Sequence, residues 1–142
     1  MNVMDLVDRR DRQRGASSTL AGRRAVERAM IEEYARGKNL GEMRAQWVGL
    51  GDVSGVHIDG VNADADVFVL ASAGTGPLTA AELPHVARDV FSLSLVARQR
   101  PGCRVVMLFA SRVALASAEH FVARTCGTTP IGLDVVELAA TA

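Results

Sequence analysis

The apolar residues of this chain recur at a helical spacing between residues 19 and 36. Val26, Met30 and Tyr34 follow one another at steps of four, which places them on one side of a helix. Gly37 comes directly after this segment, and a glycine at that position commonly ends a helix. The pattern therefore predicts a helix over residues 19–36 with one buried face.

Shorter apolar segments further along the chain predict five strands. The run from Val67 to Ala71 is nearly continuous in apolar residues, which is typical of a central strand covered on both faces. The predicted strands are a short one centred on Gln46-Trp47-Val48 and four more over residues 54–61, 64–74, 103–110 and 133–138. Trp47 is the only tryptophan, and we expect it to pack at the rim of the sheet.

The second predicted strand carries a histidine and an aspartate among apolar residues. Side chains alternate between the two faces of a strand. Alternation predicts one face with Val56, Ile58 and Gly60 and an opposite face with His57, Asp59 and Val61. Residues 62–64 are then expected to form the turn that leads into the third strand, since Asn and Asp favour turns.

Two further helices are predicted between the later strands. Thr79 and Glu82 have the spacing of a capping box, so a helix is expected to begin there and to run to Arg98. Pro84 removes a helical hydrogen bond, so we expect the helix to bend or restart at that residue. Ser111 is expected to cap the last helix, which extends to about residue 125.

The predicted elements follow the order α-β-β-β-α-β-α-β. A connection between parallel strands through a helix is right-handed, so the last three strands are expected to include parallel pairs. The sequence thus predicts an α/β fold in three layers, a mixed sheet flanked by helices, as a single domain over residues 17–142. Residues 1–16 carry interleaved Asp and Arg, and we expect a flexible N-terminal arm there.

Charge and cysteine content narrow the function classes only slightly. Lys+Arg and Asp+Glu number 16 each, so the net charge gives no argument for a nucleic-acid partner. Nearly all of the cations are arginines, which suit bidentate contacts with phosphate or carboxylate. Cys103 and Cys126 do not indicate a disulfide framework, so we expect reduced thiols and a cytoplasmic protein. No apolar run is long enough to span a bilayer, so no membrane partner is expected.

Motifs of the common chemistries do not occur in this sequence. It has neither a Walker loop nor a Gly-x-Ser-x-Gly elbow, and its His and Cys lack the paired spacing of a zinc site. Asp59 lies near the end of the second predicted strand and could supply one hard oxygen ligand to a divalent metal. A second ligand should come from the third strand, but that stretch offers no carboxylate and no lysine.

The order of elements and the run HIDGV over residues 57–61, followed by a hairpin and the segment 67–110, resemble the PD-(D/E)XK nuclease superfamily. That superfamily has the restriction-endonuclease-like fold, with an Asp on the second strand and a Glu-x-Lys or Asp-x-Lys on the third. A Glu often lies on the first helix. The resemblance implies a restriction-endonuclease-like core in which Asp59 is the second-strand Asp and Glu32 or Glu33 is the helical Glu. Around residues 70–72 the third-strand acid and lysine are both missing.

Two functions follow from this resemblance. The first is a catalytically inactive nuclease-like domain that binds nucleic acid or assembles with a partner, without a cofactor. DNA, a second copy of the chain or another protein would then be the partner, and the implied nucleic-acid contacts are Arg23, Arg24 and Arg88. The second is a Mg²⁺-dependent DNA nuclease with migrated active-site residues, in which Asp59 binds the metal. Its catalytic residues would be Asp59, Glu33, Asp89 and His85.

Two interpretations outside nuclease chemistry remain open. Ligands of open α/β sheets bind beyond the carboxyl ends of the strands, so residues 72–76 could hold a small molecule. The apolar helices could instead serve self-association.

Within the helix after the third strand, His85 and Asp89 also have the spacing of an ordinary surface pair.

Overall fold

The computed structural model describes residues 19–52 and 54–139, so the predicted arm over residues 1–16 lies outside the described residues. The eight elements follow one another in the predicted order. They are α1 (Leu20–Lys38), β1 (Met43–Gly49), β2 (Gly55–Asn62), β3 (Val67–Ser72), α2 (Leu83–Gln99), β4 (Arg104–Phe109), α3 (Arg112–Thr125) and β5 (Gly132–Val135). The first strand is longer than predicted and the last is shorter.

The five strands form one mixed sheet in the order β1-β2-β3-β4-β5. β1, β2 and β3 pair antiparallel, whereas β3 with β4 and β4 with β5 pair parallel. The expectation of parallel pairs among the last three strands is therefore confirmed. β3 is central and is buried along nearly its whole length, as its continuous apolar run predicts.

Two apolar cores lie on the two faces of the sheet. On one face α1 packs Met30 and Ile31 against Val69 of β3. On the other face α2 and α3 cover a second core that includes Phe68 of β3 and Leu93 of α2. The molecule therefore has the three-layer α/β architecture that the sequence predicts, in the element order of a restriction-endonuclease-like core.

Local sequence signals explain where the helices begin and end. Thr79 and Glu82 form the predicted capping-box bonds around a separate turn, and α2 then begins beside Pro84. Proline is tolerated there because first-turn N–H groups lack a helical partner in any case. Ser111 caps α3 by accepting a hydrogen bond from the N–H of Ala114 at 3.0 Å.

The end of α1 differs from the prediction. Gly37 lies within the helix, which continues to Lys38. Asn39 is the C-cap in the left-handed conformation, with φ of 55°, and its N–H reaches the last turn. Asparagine tolerates this conformation better than other residues with a side chain do, which allows the helix to end after the glycine.

The predicted alternation in β2 is wrong because the strand contains a bulge. Arg44 pairs with Val61 and Gln46 pairs with Ile58, so three steps on β2 oppose two steps on β1. Ile58 and Val61 consequently both belong to the core beneath α2 and α3. Gly60 faces the opposite way, since a Cβ there would meet the Ile31 side chain of α1.

Candidate functional site

The candidate site lies where β2 and β3 separate. The pairing of these two strands covers only Gly60 with Val69 and Val61 with Phe68. On the N-terminal side of Gly60 the strand contains the bulge, and the carboxylate of Asp59 lies in the opening between the two strands.

The side chain of Asp59 accepts a hydrogen bond from the main chain of β3 at this opening. Its Oδ2 accepts a hydrogen bond from the N–H of Ala71 at 3.2 Å, in place of a carbonyl of the neighbouring strand. The side chain stays 28 % exposed, and its Oδ1 lies 3.8 Å from Nδ1 of His57. One carboxylate oxygen is therefore bound to β3, and the other faces the histidine.

A guanidinium from α1 closes one side of the site. Arg28 Nη2 donates a hydrogen bond to the main-chain carbonyl of Asp59 at 3.3 Å. This acceptor is neutral, so the contact holds Arg28 in place and leaves the positive charge without a carboxylate partner there. Arg28 thus carries its charge to the point where the two strands separate.

Glu27 of α1 is a second carboxylate affected by Asp59. Burial is the main cause that raises the pKa of Glu27 from 4.5 to about 7; the negative charge of Asp59 contributes to this rise, and Arg23 opposes it. Asp89 raises this pKa as well, and Arg24 lowers it. The Glu27 carboxyl therefore releases its proton at a higher pH than an exposed glutamate does.

Asp89 of α2 is the third carboxylate that interacts with Asp59. Burial is the main cause that raises the pKa of Asp89 from 3.8 to about 6; Arg88 opposes this rise and the charge of Asp59 contributes to it. The Arg88 Nε atom lies 3.7 Å from Oδ1 of Asp89, whose side chain is 21 % exposed. Asp59 therefore acts electrostatically on carboxylates of both helix layers, through the opening in the sheet.

The structure brings together only some of the carboxylates and histidines implied by the resemblance. Asp59 and Asp89 interact electrostatically. Glu33 instead points to solvent and binds Arg36, with 2.7 Å between Oε2 and Nη1. His85 is exposed, and its side chain makes no hydrogen bond or ion pair within the described ranges. The suggested surface pair of His85 with Asp89 is thus not formed.

The helical carboxylate of the site is Glu27, which sequence reasoning missed. A signal was present: Glu27 precedes Ile31 by four residues and Ala35 by eight, and both are buried. A carboxylate on that line of α1 must point along the covered face of the sheet. The predicted stripe through Met30 and Tyr34 is buried as expected, but the buried face is wider and also includes the line of Ile31 and Ala35.

The residues present do not fit a Mg²⁺ site. Ala71 stands opposite Asp59 where a second carboxylate would be needed, and Ala71 is 7 % exposed. In the part of the chain that the structure describes, no three His, Cys, Asp or Glu side chains are close enough to hold a metal ion. Mg²⁺ needs hard oxygen ligands, and the Asp59 carboxylate is already bound to β3.

The predicted nucleic-acid contacts lie on two different layers. Arg23 and Arg24 are exposed on the first turns of α1, close to Arg28 along the helix. Arg88 lies on α2, across the sheet, beside Asp89. The three predicted arginines therefore do not form one surface. The arginine nearest to Arg23 and Arg24 along α1 is Arg28, not Arg88.

Trp47 does not pack into the rim of the sheet as predicted. It is 66 % exposed on β1 and pairs across the strands with His57 of β2. Its indole lies against the backbone of Gly55, and a side chain at position 55 would collide with it. The prediction of a packed Trp47 is wrong because Gly55 has no side chain, which leaves room for the indole to lie against its backbone at the surface of the sheet.

A half-open cavity of about 540 Å³ separates α1 from β1. Its lining includes Arg28, Arg36, Arg44 and Ala45, together with Glu32 and Glu42. Glu42 is bound to Arg44 at 3.2 Å and both side chains are exposed, so this pair is weak. The groove begins beside the Asp59 site and follows β1.

The loop after β3, suggested as a small-molecule site, is held by α3. Ser111 Oγ donates to the carbonyl of Thr75 at 2.6 Å, and Ser117 Oγ accepts from the N–H of Leu78 at 3.0 Å. Gly74 lies against the carboxylate of Glu82. Ligand binding at residues 72–76 stays a prediction.

No family model matches this chain, and no curated protein matches it. Among solved structures, a repair endonuclease from Pyrococcus abyssi matches over 77 % of this chain at 12 % identity, with a TM-score of 0.35. The chain spans 45 % of the length of that protein. None of the helices in the described ranges is long and apolar enough to cross a membrane.

Proposed function

We propose that this chain is a nuclease-like domain that binds nucleic acid without cutting it. The observation that carries the proposal is the state of Asp59. Its carboxylate serves as the hydrogen-bond acceptor for Ala71, at the strand position where a cutting enzyme of the resembled superfamily has an acid. Arg28 of α1 borders the same opening.

The chemistry of phosphodiester cleavage argues for the inactive state. A metal that activates water needs several oxygen ligands, and an amine or similar group must orient or deprotonate the water. Here β3 presents Ala71 and Ser72 at the opening, and neither supplies a charge. Asp59 alone is one ligand, and the hydrogen bond from Ala71 reduces its availability.

The charge distribution of α1 supports an anionic partner. Its first nine residues, Leu20 to Arg28, contain three arginines and one glutamate, Glu27. Since the pKa of Glu27 is raised to about 7, this glutamate contributes only part of a negative charge near neutral pH. Arg23 and Arg24 form no salt bridge with any other residue in the described ranges. Such cations can neutralise phosphates and release counterions.

A salt-dependent binding measurement tests the proposal. Fluorescence anisotropy of labelled DNA and RNA oligonucleotides should give an affinity that falls linearly on a log–log plot against salt. Replacing both Arg23 and Arg24 by Ala should weaken binding and reduce the slope by roughly 1.4 to 1.8, since each phosphate contact contributes about 0.7 to 0.9.

The matched control removes the same charge from the other helices. Arg98 of α2 and Arg124 of α3 are exposed in the last turns of their helices, across the sheet from α1. The double variant R98A/R124A should leave the slope unchanged. Equal losses in both double variants would show that binding depends on total charge, and no affinity at low salt would refute the proposal.

A cleavage assay tests the other half of the proposal. Plasmid and single-stranded substrates should remain intact with Mg²⁺ or Mn²⁺, because the opening lacks the ligands that either metal requires. If the chain cuts and Asp59→Ala abolishes the cutting, the alternative of a metal-dependent nuclease is correct and the non-catalytic assignment is refuted.

A further inference from the structure

We infer that the bound nucleic acid is single-stranded and that an unpaired base stacks on Trp47. This inference rests on the proposed function, because it specifies the kind of nucleic acid and the place where a base is held. It adds a residue that lies outside the Asp59 site.

Two aromatic side chains stand together on the surface of the sheet. Trp47 of β1 and His57 of β2 are cross-strand partners, so both side chains leave the sheet on the same face. The Trp47 residue is 66 % exposed and the His57 side chain is 60 % exposed. Flat rings that are open to solvent can stack on the face of any base, which makes the contact tolerant of sequence.

The backbone beneath Trp47 fixes the position of the ring. The indole atoms Nε1 and Cε2 occupy the space that a side chain at Gly55 would need. A ring that already rests on the strand loses little further freedom when a base covers its outer side. Trp47 is therefore held in place before any ligand arrives.

The same face of the sheet leads to the arginine-lined cavity. Met43 belongs to the core beneath α1, and Ala45 and Trp47 follow it at steps of two, so all three face the α1 side. Ala45 lines the cavity together with Arg28 and Arg36. A strand with one base on Trp47 can therefore run its phosphates along the arginines between α1 and β1.

This arrangement suits an unpaired strand better than a duplex. Bases in a duplex are stacked on their neighbours, and proteins read them by placing a helix or ribbon in a groove. Trp47 instead lies against the backbone of Gly55, beside a groove in which three arginines outnumber two glutamates. An aromatic platform next to a positively charged groove is the usual way of binding single strands.

The fluorescence of Trp47 gives a direct test, because the chain contains one tryptophan. Titration with a short single-stranded DNA or RNA should quench this emission, with the same midpoint as binding measured by anisotropy. The matched duplex should bind more weakly and leave the emission unchanged. Trp47→Ala should weaken single-strand binding by roughly 5- to 150-fold, and Trp47→Phe should recover most of the loss.

Phe91→Ala is the matched control. Phe91 is also strongly exposed, at 64 %, and it lies on α2 across the sheet. Its removal should not change the affinity for single strands. Circular dichroism and thermal melting should show that each variant remains folded.

Three results would overturn the inference, and they can be told apart. Duplex binding at least as tight as single-strand binding, with Trp47 emission unchanged, would overturn the stacking and leave the proposed function standing. No binding of any nucleic acid would refute both proposals. An emission that changes with protein concentration alone, with a dimer in light scattering that Trp47→Ala dissociates, would assign the ring to a second copy of the chain.

Discussion

Replacing Asp89 by Asn should stabilise the protein at neutral pH and leave its stability unchanged in acid. Asp89 is largely buried on α2, and this burial together with Asp59 raises its pKa from 3.8 to about 6. The unfolded chain releases this proton more readily than the folded chain does. The free energy of unfolding must therefore fall as the pH rises from about 3.8 towards 6, and the loss is complete above that window.

The size of the effect follows from the difference between the two pKa values. Each pKa unit corresponds to about 1.4 kcal/mol, so the full cost of ionising Asp89 is about 3 kcal/mol. The side chain is still 21 % exposed. The pKa of about 6 already includes the attraction to Arg88, so that contact is not subtracted a second time. Solvent screening at the exposed part of the side chain reduces the expected net gain in D89N to about 1 to 2 kcal/mol above pH ~7.

Urea denaturation of the wild-type and variant proteins, measured at several pH values, provides the assay. Asp64→Asn is a suitable control, because it removes a carboxylate from the exposed turn between β2 and β3. At neutral pH the free energy of unfolding should rise more in D89N than in D64N. Near pH ~4 the increase in D89N should vanish. A gain that is the same at both pH values would refute the reasoning, since burial of an ionised carboxylate could not then be its cause.

Two further predictions concern Asp59 and the bulge. Asp59→Asn removes the charge that acts on Asp89, so the pKa of Asp89, followed by NMR titration, should fall; an unchanged value would contradict the interaction across the sheet. Gly60→Ala should lower the free energy of unfolding by about 1 to 3 kcal/mol, because a Cβ there would lie 2.8 Å from Cγ2 of Ile31 in the α1 core. Gly76→Ala, with nothing within 4 Å of its Cβ position, should have little effect in the same denaturation experiment.

The order and type of the elements could be predicted because they depend on local patterns. The four-residue spacing through Met30 indicates α1, and the apolar run from Val67 indicates a central strand. Ser111 at the start of α3 bonds to a residue three positions away, so its capping role is also encoded locally. These features depend on neighbours along the chain, which the sequence displays directly.

The site was harder to predict because it depends on register. The bulge in β2 moves Val61 to the face of Ile58, and no residue in the strand marks the extra step except Gly60. The interaction of Glu27 with Asp59 joins α1 to β2, which are far apart along the chain, so local patterns do not reveal it. The exposure of Trp47 depends on its pairing with β2, which composition does not reveal.

The two faces of the sheet are covered unequally, since α1 alone covers one and two helices share the other. If α1 separates from the sheet, Val69 and Leu108 both become exposed to solvent. The rate of hydrogen–deuterium exchange in the inner strands should therefore depend on how often this helix opens. Two of the three arginines that line the groove, Arg28 and Arg36, lie on this same helix. A nucleic acid bound there would stabilise the closed position of α1 on the sheet. Amide exchange in β3 should then become slower, and this slowing would measure binding at a strand that the nucleic acid does not contact.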